Sequence, residues 1–148
     1  MPDGSRPADP GRHASGECWS LYGEVTGLQL TRPARLGAVR QLTVDAYAAQ
    51  HVGPDTPTIG PAFALIGLHL ALDRGWESWQ VRDEHQRLAR ERRDWPRLTP
   101  PPDLGGVTVL DVAMTDSDAE HVAVVRRWAE AVWTAWRVSL GRSGLPYP

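Results

Sequence analysis

The sequence predicts an all-α protein, a compact bundle of about five helices behind a disordered N-terminal tail. Three observations carry that prediction. Apolar residues recur at helical spacing in five separate stretches, Pro- and Gly-rich segments punctuate the intervals, and few segments read as strands, the run Val107 to Leu110 being the best. With 148 residues, 41% of them hydrophobic and 23% charged, the chain has the length and balance of one folded domain with its own core.

Residues 1–16 hold three prolines, three glycines and scattered charges without periodicity, and are expected to be a flexible tail. Residues 17–140 are expected to form the single helical domain and residues 141–148 a C-terminal tail. The first helix runs from about Cys18 to Leu30, with Leu21, Val25 and Leu28 on one face and Gly23 and Gly27 placed for a close neighbour. Pro33 suits the first turn of a second helix ending near His51, striped by Leu36, Val39, Leu42, Ala46 and Ala49.

Leu65, Leu68 and Leu72 mark a third helix from Ala62 to Arg74. Val81 and Leu88 mark a fourth from Trp79 to Arg93, whose Asp83–Arg87, Arg87–Glu91 and Arg90–Asp94 spacings fit a solvated face. Thr108 and Asp111 can cap a short helix through Met114. Ser117 and Glu120 then read as a capping box for the longest helix, to about Val138, striped by Val122, Val125, Ala129, Val132 and Trp136.

Composition removes several function classes. All 16 basic residues are arginine, so no lysine is present for a Schiff base or a phosphate-binding loop. The absence of lysine and asparagine has the look of a GC-rich bacterial genome. A formal charge of -2 with interspersed signs argues against nucleic acid as a partner. Cys18 is the only cysteine, which rules out an internal disulfide or a cysteine zinc cluster and fits a cytoplasmic protein. The longest apolar run, Ala62 to Leu72, is about 11 residues against the ~20 a membrane span needs. Neither a membrane nor a metal or other cofactor is expected.

The polar residues on apolar faces are the candidates for chemistry. At about 100° per residue, His69, His85 and His121 each fall close to the apolar stripe of their helices, and His51 lies beside Tyr47 in the last turn of the second helix. Asp45 and Gln41 share that helix's opposite flank. His51, His69, His85, Asp45 and Tyr47 are therefore expected to serve acid–base chemistry near neutral pH in a pocket for a small organic molecule. Cys18, Trp19, Tyr22, Gln41, Gln50 and His121 are expected to help bind it, with Cys18 at a helix start where a thiol can be activated. The rival reading is a non-catalytic interaction module that dimerises or docks through Trp76, Trp79 or Trp133.

The strings Cys18-Trp-Ser-Leu-Tyr-Gly-Glu24, Gln41-Leu-Thr-Val-Asp-Ala-Tyr-Ala-Ala-Gln-His51, His85-Gln-Arg-Leu88, Val107-Thr-Val-Leu-Asp-Val112 and His121 to Trp136 resemble a bacterial family known only as domain of unknown function number 5946. The second-helix string carries the resemblance most specifically. It implies a compact, mostly helical protein and supplies no reaction. Members often open with a Cys-x-x-Cys-Gly metal motif and carry histidine where this chain has Arg40 and Ala64. Residues 1–17 hold no cysteine here, so the resemblance is to a divergent member without that motif, and His69 stands where the family pattern does not ask for it.

Overall fold

A computed structural model describes residues 15–141 and 144–147. Most of the segment expected to be a flexible tail, residues 1–14, lies outside the described residues. The described chain is helical and contains no strand: α1 spans Gly16–Thr31, α2 Pro33–Leu36, α3 Arg40–Gln50, α4 Ile59–Leu68, α5 Ser78–Ala89, α6 Val109–Ala113 and α7 Asp118–Leu140. A 3-10 turn, Gly37–Val39, joins α2 to α3, and a π turn, His69–Asp73, continues α4. Read as continuous rods, these make the five long helices the periodicity predicts, with α6 as a short sixth.

Local chemistry explains the boundaries. Ser15 Oγ accepts from Cys18 N at 3.1 Å and opens α1. Pro33 occupies the first turn of α2 as expected, where its missing N–H costs no hydrogen bond. Thr108 Oγ1 accepts from Leu110 N and the Asp111 carboxylate accepts from Thr108 N at 2.8 Å, so the run read as a possible strand is a capped helix. At α7 the expected capping box is only half made. Ser117 Oγ accepts from Glu120 N, but the Glu120 carboxylate reaches one residue further back, to Asp116 N at 3.0 Å.

Helix α5 stops at Ala89, short of Arg93, and Arg92 takes a φ of 52° in the left-handed region. Asp94 is therefore off the helix and cannot pair with Arg90 at helical spacing. Arg87 instead bridges Glu84 and Glu91.

Helix α3 is the axis of the molecule. It packs on α4, α7, α5 and α1, and buries Leu42, Thr43, Asp45, Ala46, Tyr47, Ala48 and Ala49, which lie on nearly every side of it. Helix α7 contributes His121, Val125, Trp128, Ala129, Val132, Trp133 and Trp136 to the same core. A second, smaller core forms where Ile66 and Leu70 meet Val81, Leu88 and Trp95. Helix α1 departs from its expected face: Leu28 is exposed while Gln29 is buried, and Gly23 and Gly27 have no neighbour close to them. Leu145 and Tyr147 fold back onto the body, where the Tyr147 hydroxyl bonds the Glu84 carboxylate. No helix among the described residues is long and apolar enough to cross a membrane.

Candidate functional site

A cavity of about 770 Å³ opens where the start of α3 faces the π turn, the Gly75–Ser78 connection and α5. That volume lies within the range of small-molecule sites, roughly 300–1,000 Å³. Two of the predicted site residues, Asp45 and Gln41, line it, together with Gln29, Arg40, Trp76, Trp79, Arg82 and Arg126. Trp79 is 53% exposed at the mouth, and the second tryptophan of the lining, Trp76, is half-buried.

Asp45 reaches the cavity because Gly67 lets it. A Cβ on Gly67 would stand 1.9 Å from Asp45 Oδ2 and 3.2 Å from His85 Cε1, so the carboxylate and the imidazole crowd the same bare spot on α4. Gln41 Nε2 donates to Asp45 Oδ1 at 3.1 Å, one helical turn away, and fixes the carboxylate plane. Behind Gly67, His85 Nε2–H donates to Phe63 O at 2.7 Å and its ring stacks on Phe63. Burial lowers the His85 pKa, which keeps the ring neutral at physiological pH.

A buried polar trio closes the neighbouring wall. Gln29, fully buried, donates through Nε2 to Thr43 Oγ1 at 2.7 Å and to His121 Nε2 at 3.0 Å, while Thr43 in turn donates to Val39 O. Since an amide nitrogen only donates, His121 Nε2 accepts and its proton sits on Nδ1. Burial lowers the pKa of His121 as well. Gln29 Oε1 and Arg40 Nε are buried with no hydrogen-bond partner among the described residues.

The remaining predicted residues lie elsewhere, so the expected single pocket is split. Tyr47 stacks on Tyr22 with ring centres 4.1 Å apart, Tyr22 on Trp19, and His51 packs on Tyr47 and donates through Nδ1 to Tyr47 O at 2.8 Å. Cys18 packs beside this aromatic column, half-buried in the main core. Gln50 bonds Val107 O and receives Trp128 Nε1, tying α3 to α6 and α7. None of these residues lines the cavity.

His69 forms a third group. It turns toward the surface, where Nδ1–H donates to Asp73 at 2.8 Å, and Trp133 Nε1 donates to the same carboxylate at 3.1 Å. Although burial opposes it, the hydrogen bonds from His69 and Trp133 hold the Asp73 carboxyl below its ordinary range. Trp133 is thus buried and bonded inside, which removes it from the expected docking face.

Sequence reasoning missed Gln29, Gly67 and the three cavity arginines. Gln29 has a signal in hindsight, one turn from Val25 on the inner face. Gly67 has none, because only the crossing of α3 and α4 gives it meaning. Among the described residues no group of three His, Cys, Asp or Glu side chains is gathered in a way that could hold a metal ion.

Compared with curated proteins and with solved structures, the chain matches none. A family model does match, over residues 4–137, which is nearly the whole chain. The second-helix string that carries the resemblance is therefore set in a family-wide frame, and the chain belongs to the family of unknown function DUF5946.

Proposed function

We propose that this protein binds a small organic molecule in the cavity between α3, the π turn and α5, and that Asp45 is the group able to exchange a proton with it. One observation carries the reading: a buried carboxylate, oriented by Gln41 and set over a residue with no side chain, forms part of the wall of a ligand-sized cavity. A carboxylate has about four acceptor sites, so holding the Gln41 amide does not by itself use up the capacity of Asp45 to accept from a bound molecule. In a wall shielded from water, such a group serves as a general base when a donor is held within hydrogen-bond reach. His85 lies behind it and stays neutral, so it adds no competing charge.

The test compares two variants with the parent protein in a thermal-shift screen of small organic acids, amines and alcohols. Asp45→Asn keeps shape and removes the charge. Gly37→Trp adds bulk to the cavity lining at a helical φ of -60° and into open space, so it fills the site without strain. Both are expected to unfold within a few degrees of the parent and to lose ligand-induced stabilisation. Ligands that stabilise the parent and Gly37→Trp equally would end the proposal.

A further inference from the structure

We infer that the molecule held in this cavity carries an oxyanion, a carboxylate or a phosphate, and that Arg40, Arg82 and Arg126 supply its counter-charge. The inference rests on the cavity being a binding site and adds the chemical class of what enters it. The three guanidiniums come from three elements, the first residue of α3, the exposed face of α5 and the exposed face of α7, yet all line one space.

Elsewhere on the described surface, five arginines lie close to carboxylates, whereas Arg90, Arg92 and Arg127 stand exposed to solvent away from the cavity. Arg32 and Arg35 meet Asp118, Arg87 meets Glu84 and Glu91, Arg93 meets Glu91, and Arg137 meets Asp73. Arg40, Arg82 and Arg126 make no ion pair or hydrogen bond with any described residue, and Arg40 Nε is in addition buried.

The acidic side chains of the lining do not balance them. Glu77 is engaged at the start of α5, where its carboxylate caps the helix and accepts Trp79 Nε1 at 2.7 Å. Asp45 is turned in over Gly67 and takes the Gln41 amide. Among the described residues of the lining, three positive groups stand against two negative ones, inside a chain whose formal charge is -2.

A buried donor with no acceptor is unfavourable, and an oxygen of a carboxylate or phosphate is the acceptor a guanidinium fits best, through paired N–H bonds. Trp76 and Trp79 offer flat walls to the remainder of such a molecule. A cationic ligand would bring like charge to three arginines.

Four ring compounds of matched size test this on the full chain: phenylacetate, phenyl phosphate, phenylacetamide and phenethylamine. Binding is read from the indole N–H signals of Trp76 and Trp79 in nuclear magnetic resonance titrations. The two anions are expected to bind at least about tenfold more tightly than the amide or the amine, a factor of ten being about 1.4 kcal/mol. Arg40→Gln, and separately Arg82→Gln with Arg126→Gln, are expected to remove that preference without lowering the melting temperature, while Arg90→Gln, off the cavity, changes nothing. Preference between the two anions then tells which oxyanion the site favours.

If the amide or amine binds as tightly as the anions and Arg40→Gln has no effect, the oxyanion assignment fails while the cavity remains a binding site. If no probe moves the Trp76 or Trp79 signals at millimolar concentration, both readings fall.

Discussion

Gly67 decides how closely α3 and α4 approach at the one place where a charged side chain lies between them. Replacing it with alanine would raise helix propensity by about 1 kcal/mol in an exposed helix, but here the new methyl overlaps Asp45 Oδ2 at 1.9 Å and Cγ at 2.7 Å. Gly67→Ala is expected to destabilise the protein by about 1–3 kcal/mol, the usual cost of overpacking a core. In an Asp45→Ala background the same change is expected to be neutral or stabilising, because the severe overlap has gone and only the His85 ring, at 3.2 Å, has to give slightly. Chemical denaturation of the four proteins of this cycle measures the coupling directly, and an equal cost in both backgrounds would show that Asp45 is not what Gly67 accommodates. Neither residue's role is legible alone. The sequence marks Asp45 as a polar group beside an apolar stripe and leaves Gly67 unmarked; their meeting depends on a crossing angle that periodicity does not contain.

Where helices are amphipathic, their faces were readable. Of the stripe that its 3-4-3-4 spacing predicts, helix α7 buries Val125, Ala129, Val132 and Trp136 and half-buries Val122, because one side of it faces the core and the other faces water. Helix α3 escapes this logic. It is enclosed by four other elements, so Thr43 and Asp45 lie inside with Leu42 and Ala46, and a stripe drawn on it accounts for only part of what it buries. The π turn was equally hidden, since one extra residue in a turn leaves no mark on composition. Its stability depends on Asp73, which gathers His69, Trp133 and, at 3.6 Å, Arg137. Asp73→Ala strands the indole N–H of a buried tryptophan, and is expected to lower stability by about 1–3 kcal/mol. Thermal unfolding checks this, with Trp133→Phe in the same background recovering part of the loss because the stranded donor is then removed.

Across the whole molecule, two groups of ionisable side chains set two windows of acid sensitivity. Burial lowers the pKa of both His85 and His121 in the folded state. Between the lowered values and the ordinary one near 6.5, the unfolded chain binds protons that the folded chain does not, so stability is complete above about pH 6.5 and declines as pH falls below it. The lowered carboxyls act in a second, more acidic window. Side-chain hydrogen bonds, from Arg87 to Glu84 and from His69 and Trp133 to Asp73, keep these groups ionised in the fold. Their contribution is present above the ordinary carboxylate range and is lost as pH falls through it. Melting temperatures measured from pH 8 to pH 3 are expected to fall in two stages, and His121→Gln is expected to shrink the first stage to the part that His85 contributes while leaving the second in place.

The wide turn at His69–Asp73 also works as a gear between the core and the cavity mouth. Each residue advances a helix by about 100°, so the additional residue in this turn sets the phase of everything that follows it, including Asp73 against α7 and the connection that carries Trp76 and Trp79. Removing one residue there would rotate Asp73 away from Trp133 and withdraw both tryptophans from the opening, with every lining side chain still encoded. A change of length in this stretch would thus reshape the cavity mouth without altering a single lining residue, a difference that residue types alone do not reveal.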